Sequence, residues 1–255
     1  QNSGQGNAVN PLTSLADSDV YSIPILLLIG WRGEPGKKDE PQHVKQGKVT
    51  LGLLETLQIP YEILPDSIRE AEKSIEKALD SINKRNSPYT LVIRAGTFEP
   101  YTLKKEIKTD YGLLREDTVK LVVNQLSAED IIVSTTGMTS RELFEYREKL
   151  GQDHNRDFLT VGCMGHSSQI ALGIALAKPH RQVYCLDGDG AVIMHMGSLA
   201  IIGSQAPNNF KHIVINNGAH DSVGGQPTAG FEIDIPSRVE AGKEQVDISK
   251  KDMAN

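Results

Sequence analysis

The chain has 255 residues, enough for one large or two ordinary domains, and at 38% hydrophobic and 24% charged it can build a core. Its 27 Lys plus Arg against 33 Asp plus Glu give a net charge of −6 with no basic tract, which argues against a general nucleic-acid surface. Two cysteines, Cys163 and Cys185, argue against a disulfide framework and fit a reducing, cytoplasmic compartment; the longest apolar run, Ile23 to Ile29, is far too short to span a bilayer.

Residues 1–10 read as a loop, with a helix from about Ala8 to Leu15. Ile23 to Ile29 reads as a buried parallel strand, by its length and lack of alternation. A long polar loop follows, Gly30 to His43, with Gly and Pro at its start. Long loops inside compact domains are often functional lids. Trp31, the only tryptophan, stands beside Arg32 there and favours a functional loop over a surface excursion. Helical spacing resumes from His43 to Leu57. A short strand Tyr61–Leu64, an amphipathic helix Ser67–Ile82 capped by Asp66 or Ser67, and a buried strand Tyr89–Arg94 complete the first half. Gly96 to Tyr111 shows no clean period and reads as a linker, which places a domain boundary near residue 110.

The second half repeats the alternation. Helix Arg115–Leu126, strand Ile131–Ser134, helix Arg141–Leu150, strand Phe158–Val161 and a small-residue helix His166–Ala177 come in order. Strand Gln182–Leu186, helix Val192–Gly203 and strand Phe210–Ile215 follow. Alternating βα units in both halves predict two tandem, doubly wound parallel sheets, an α/β fold whose ligands bind at the carboxyl ends of the strands. The turns at 135–140, 162–167 and 188–191 all fall at that edge. After Asp234 the pattern decays; Ser237 to Asn255 reads as a poorly packed, divergent tail, and the further strand such a domain calls for is not found in it. The chain starts at Gln1 without an initiator methionine, so the natural beginning is expected to be missing; no signal peptide is expected.

The sharpest feature is Gly188-Asp189-Gly190-Ala191 at the end of one predicted strand, with Asn216-Asn217-Gly218 at the end of the next. A parallel crossover puts both strand ends on one edge, so Asp189 and Asn216 or Asn217 can converge although Asn217 lies 28 residues on. A carboxylate and an amide oxygen suit a hard cation such as Mg²⁺, which keeps water and substrate phosphate as further ligands. The glycines let backbone approach a diphosphate.

These residues resemble the thiamine diphosphate signature of the decarboxylase superfamily. Three longer stretches are narrower: Gly30-Trp31-Arg32-Gly33-Glu34-Pro35-Gly36, Asp39-Glu40-Pro41-Gln42-His43-Val44-Lys45-Gln46-Gly47, and the run from Asn217 to Thr228. They are similar to the phosphonopyruvate decarboxylase family, with sulfopyruvate decarboxylase the close relative, over roughly 1–235. The resemblance implies a pyrimidine-binding domain (1–110, with linker), a diphosphate- and Mg²⁺-binding domain (111–235), and a cofactor lying across the interface of at least a homodimer. It implies Asp189 and Asn217 as side-chain ligands of Mg²⁺ and Ala219 as a carbonyl ligand, with Asn216 the alternative to Asn217. Gly188, Gly190, Ala191 and the turn Thr136-Gly137-Met138 would face the diphosphate. The Gly162 carbonyl would accept a hydrogen bond from the cofactor's amine. Met164, read alone as core packing, would be the apolar wedge under the cofactor.

The implied reaction is loss of carbon dioxide from an anionic 2-oxo acid, with the cofactor ring accepting the electron pair. Arg32, His43, Gln46 and His220 are candidate partners of the phosphonate, and His43 and His220 could also carry protons. His166 and His195, on or beside helices, read as packing or capping residues. The family's ring-activating glutamate belongs upstream of residue 1, so the chain is expected to hold an incomplete activating apparatus. Three readings follow: a phosphonopyruvate decarboxylase, a sulfopyruvate decarboxylase, and a non-catalytic cofactor-binding partner subunit. One chain carrying both domains favours the first, because the sulfopyruvate relative is often split in two.

Overall fold

The computed structural model describes residues 1–101 and 112–236, and the backbone of 245–248. The chain divides into two compact units, Gln1–Glu106 and Ile107–Asn255. Most of the segment read as a linker lies outside the described residues.

The first unit holds a parallel sheet of three strands, β1 (Leu26–Gly30), β2 (Tyr61–Ile63) and β3 (Tyr89–Ile93), in the order β1-β3-β2. β3 is central and buried from Tyr89 to Val92. β1 corrects the expectation of a buried strand: it pairs only with β3 among the described residues, and Leu28 is 60% exposed. An unbroken apolar run does not distinguish a strand covered on both faces from one covered on one.

Five helical segments among the described residues accompany this sheet. The predicted loop at residues 1–10 is instead a 3-10 turn, Asn2–Gly4, running into α1 (Gln5–Pro11) and a π turn, Leu12–Ala16. Asn2 explains the order there. It is fully buried, and its Nδ2 donates to Arg32 O and Thr50 Oγ1, both at 2.8 Å. α2 spans Pro41–Thr56, with proline in its first turn where no N–H is needed. α3 (Ile68–Arg85) is capped by Ser67, whose side chain accepts from Glu70 N, and stops at Asn86 in the left-handed region, φ 46°. Its buried Ser74, Ala78 and Ile82 repeat every four residues, the single face it turns inward.

The second unit holds a five-stranded parallel sheet. Its strands are β4 (Ile131–Ser134), β5 (Asp157–Leu159), β6 (Val183–Gly188), β7 (Phe210–Ile215) and β10 (Gln245–Ile248), in the order β10-β7-β6-β4-β5. A small antiparallel ladder joins β8 (Ala219–His220) to β9 (Gln226–Pro227). Helices α4 (Arg115–Gln125), α5 (Met138–Leu150), α6 (Ser167–Ala177), α7 (Asp189–Met194) and α8 (Gly197–Gln205) complete it. Val133, Cys185 and Val214, fully buried on neighbouring strands, pack with Ala171 and Ala175 of α6 in one core cluster. Ile132 and Leu186 form the other with Val119 and Leu143.

Two expectations change here. The tail does carry the strand that the sequence reading did not find: β10 pairs in parallel with β7, Gln245 opposite His212. Gln245-Val246-Asp247-Ile248 alternates polar and apolar among charged neighbours, a weak signal for so short a strand. The helix expected over Val192–Gly203 starts at Asp189 and breaks at His195, whose ring packs on Gly165 and meets His166 at 4.4 Å.

Candidate active site

In the second unit the chain adds β5 on one side of β4 and β6 on the other. β4 and β6 are therefore neighbours at the point where the strand order reverses, and their carboxyl ends lie together. That crevice is the general ligand site of open α/β sheets. Thr135, Thr136 and Met138 reach it from the end of β4, and Gly188 to Ala191 from β6. Met164 comes from the loop after β5, and Asn217, Ala219 and His220 from the segment after β7. One cleft thus gathers nine of the residues singled out in the sequence: Thr136, Met164, Gly188, Asp189, Gly190, Ala191, Asn217, Ala219 and His220. Gly137 lies beside it; a Cβ there would sit 3.0 Å from Ser222 Oγ, which lines the cleft. Gly162 is half-buried and is not among the lining residues.

Asp189 is 2% exposed. Burial pushes its carboxyl above the usual range, opposed by the Thr228 hydroxyl and by backbone N–H groups including those of Gly190 and Asn217. A cation would reverse that bias by favouring the charged form. The structure separates the two asparagines. Asn216 is buried, with Nδ2 donating to Gly230 O at 2.7 Å and Oδ1 accepting from Gly218 N at 3.2 Å. Asn217 faces the cleft, its Oδ1 accepting from Ala219 N at 3.1 Å. Gly218 makes the turn that follows them possible at φ +67°, with the Phe231 ring where a Cβ would go, 2.3 Å away.

The His220 ring lies on the Gly-Asp-Gly turn. A Cβ on Gly190 would come within 2.6 Å of its Nδ1 and Cε1, and 3.4 Å from the Met164 methyl. Thr135 was not singled out in the sequence. Its Oγ1 is buried at the cleft wall without a hydrogen-bond partner among the described residues, a donor available to an anion. Beside it α5 begins with no side-chain cap, so its first N–H groups add to the donors. A carboxylate, an amide oxygen and a carbonyl on one side, with hydroxyl and N–H donors on the other, fit a hard dication bridged to a diphosphate.

Arg115 is a second residue the sequence reading passed over, as the start of a helix. It lines the cleft, holds Glu142 through Nε and Nη2 and reaches Asp221 through Nη1 at 2.9 Å. Those two carboxylates raise its guanidinium further above its usual value.

The remaining candidates lie in the first unit, at the carboxyl end of β1. Asp39 is their hub. It accepts from Arg32 Nε at 2.9 Å and Nη2 at 2.5 Å, from Gly33 N at 2.7 Å, and faces His43 Nδ1 at 2.9 Å. The Arg32 guanidinium, more than any other neighbour, holds the Asp39 carboxyl well below the usual range. Gln46 donates to Asn2 O at 3.1 Å. Trp31 corrects the functional reading of its loop: it is 8% exposed, belongs to the core with Leu54 and Val92, and donates from Nε1 to Gly47 O at 2.8 Å. Its indole anchors the loop, and the polar residues after it form the Arg32–Asp39–His43 cluster. Asp39 stood in the quoted motif without a role; a carboxylate between Arg32 and His43 was the available signal.

Residues 135–251 match the family model "Thiamine pyrophosphate enzyme, C-terminal TPP binding domain". Phosphonopyruvate decarboxylase of Streptomyces viridochromogenes is 35% identical over 252 residues, 93% of this chain and 62% of that protein. Sulfopyruvate decarboxylase of Methanosarcina acetivorans is 27% identical over 91% of the chain and 62% of its own length. The beta subunit of sulfopyruvate decarboxylase from Methanocaldococcus jannaschii is 39% identical over 114 residues, 45% of the chain and 57% of the subunit. The chain thus spans about three-fifths of these relatives. Among the described residues no helix is long and apolar enough to cross a membrane. Over nearly all of its length the chain is similar to phosphonopyruvate decarboxylase, and its second unit carries the match to the C-terminal TPP-binding domain of thiamine pyrophosphate enzymes.

Proposed function

We propose that this chain carries the greater part of a thiamine diphosphate- and Mg²⁺-dependent carboxy-lyase that converts 3-phosphonopyruvate to phosphonoacetaldehyde and carbon dioxide. It would work in the cytoplasm as a homodimer or higher homo-oligomer. The observation that carries the reading is the likeness to a phosphonopyruvate decarboxylase running through both units. Asp189, Asn217 and the Ala219 carbonyl would hold the cation, and Thr135 with the start of α5 would hold the diphosphate. Met164, whose methyl lies over Gly190, would support the cofactor's middle. Thiamine diphosphate supplies the electron sink for the pair left when carbon dioxide departs.

The chain's own groups do the rest. The His220 imidazole, seated on the Gly-Asp-Gly turn, is the candidate to carry a proton there. The phosphonate dianion calls for cationic partners, and Arg32 and His43 are the candidates of the first unit. Gln46 already spends a donor on Asn2.

Sulfopyruvate is the second reading, and the fusion of two domains does not count against it. The Methanosarcina protein matches both units in one polypeptide. A third reading is a non-catalytic partner subunit; one relative is named as the beta subunit of a sulfopyruvate decarboxylase, so partner subunits occur among the similar proteins. Carbon dioxide release from each acid by the chain with thiamine diphosphate and Mg²⁺ separates the three. Preferential turnover of phosphonopyruvate is expected. Equal turnover of both acids, or none of phosphonopyruvate, overturns the proposal, and cofactor binding with no turnover of either supports the partner subunit.

A further inference from the structure

Behind Asp189 runs a closed hydrogen-bond network to which the cofactor reading assigns no role. Thr228 Oγ1 donates to Asp189 Oδ2. The same hydroxyl oxygen accepts from Gly230 N at 3.1 Å. Gly230 O accepts from Asn216 Nδ2 at 2.7 Å, and Asn216 Oδ1 accepts from Gly218 N at 3.2 Å. Thr228 N closes the ring on Gly218 O at 2.8 Å. A Cβ on Gly230 would lie 2.5 Å from both Asp189 Oδ2 and Asn216 Oδ1, so only bare backbone can pass between them.

We propose that Thr228 is a positioning residue of the cation site, with Asn216 as its counterpart on the neighbouring strand end. The inference rests on the reading of the cleft as a Mg²⁺–diphosphate site. A hydroxyl has one proton to give. Here the Gly230 N–H donates to its oxygen, which turns that proton toward Asp189. Oδ2 is thereby held and the rotation of the carboxylate is set, which would aim the group at a cation in the cleft. Asn216 spends both ends of its amide on backbone, so it cannot turn to an ion without breaking two bonds. Instead it fixes the turn that presents Asn217 and the Ala219 carbonyl. Ligand-orienting groups of this kind govern affinity as much as the ligands do.

The test compares the full chain with Thr228→Val, which keeps the shape and loses the hydroxyl, and Thr228→Ser, which keeps the hydroxyl. Mg²⁺ is titrated calorimetrically at fixed thiamine diphosphate. Thr228→Val is expected to weaken Mg²⁺ by about ten- to a hundredfold while Thr228→Ser stays near the parent value. A merely structural role would lower the melting temperature of the metal-free protein and would not separate valine from serine by Mg²⁺ affinity. Should valine not fold, Thr228→Ala removes the same hydroxyl. Parent-like or tighter Mg²⁺ binding without the hydroxyl overturns the proposal, as does serine failing like valine. A parent chain that binds neither Mg²⁺ nor thiamine diphosphate overturns the underlying reading, and this inference with it.

Discussion

Asp187 gives the sharpest stability test, because it is fully buried and both its oxygens are used. Oδ1 accepts from Gly188 N at 3.0 Å, and Oδ2 meets His212 Nε2 at 3.2 Å. Cys185 lies close by, the three donor atoms within 4.8 Å of one another. Burial pushes the Cys185 thiol well up, which keeps the proton on sulfur. Asp187→Ala leaves the half-buried Gly188 N–H and the buried His212 imidazole without this partner. At about 1–3 kcal/mol each, the loss is about 2–6 kcal/mol. At about 2–4 °C per kcal/mol for a chain of this size, that lowers Tm by about 4–24 °C. Asp187→Asn should cost about half. Its oxygen can still accept from Gly188, but its amide then needs Nε2 as acceptor, which moves the ring proton to Nδ1, an atom with no hydrogen-bond partner among the described residues. The double variant Asp187→Ala with His212→Phe removes the stranded imidazole and should melt above Asp187→Ala alone. Circular dichroism melts of the cofactor-free chain measure all three. A double variant melting below the single one, or Asp187→Ala within about 2 °C of the parent, refutes the reasoning.

Three further outcomes are expected. Gly190→Ala puts a carbon 2.6 Å from the His220 ring, so the ring must leave the turn. Thiamine diphosphate affinity should fall by about tenfold or more, an overpacking cost of about 1–3 kcal/mol, and calorimetry showing parent affinity would refute it. Asp39 has a folded pKa depressed by Arg32 below the unfolded value of about 3.9, so its stabilisation is present above about pH 5 and is lost as pH falls below about 4. The parent should therefore lose more stability than Asp39→Asn between about pH 5 and pH 3, and parallel pH curves in urea unfolding would count against the hub. Trp31→Phe removes the bond to Gly47 O and should cost about 1 kcal/mol or more by chemical denaturation; a neutral substitution would show that the indole anchors nothing.

How much was legible depended on whether a signal was periodic or relational. β3, β4 and β7 stand where their β-branched runs put them, because a strand buried on both faces has to be apolar throughout. The Ser67 cap was one of two residues named for it, because capping chemistry is local. β1 looked equally buried, yet its exposure depends on which strands flank it, and no residue within the run records that. β10 escaped because four alternating residues carry little weight alone. Thr135 and Thr228 escaped for another reason. A hydroxyl is unremarkable until a fold shows that it has no partner, or that its partner is a buried carboxylate. Trp31 misled through rarity: a sole tryptophan beside an arginine reads as function, while its ring fills the core.

The two asparagines show what topology adds to spacing. Parallel register pairs Gly188 with Ile215, so Asp189 and Asn216 are the first residues to leave the sheet on adjacent strands. Spacing alone therefore points to Asn216. Successive side chains on extended backbone point to opposite sides, however, and only one of the pair can face the cleft. Asn216 continues inward, where Gly230 and Gly218 take its amide, and Asn217 is left to the cleft. The inward residue is no spare ligand, because its bonds hold the turn that gives the outward one its direction. A doubled asparagine at a strand end is thus two parts with two tasks, and the buried one ties the turn to the same segment that holds Asp189 from behind.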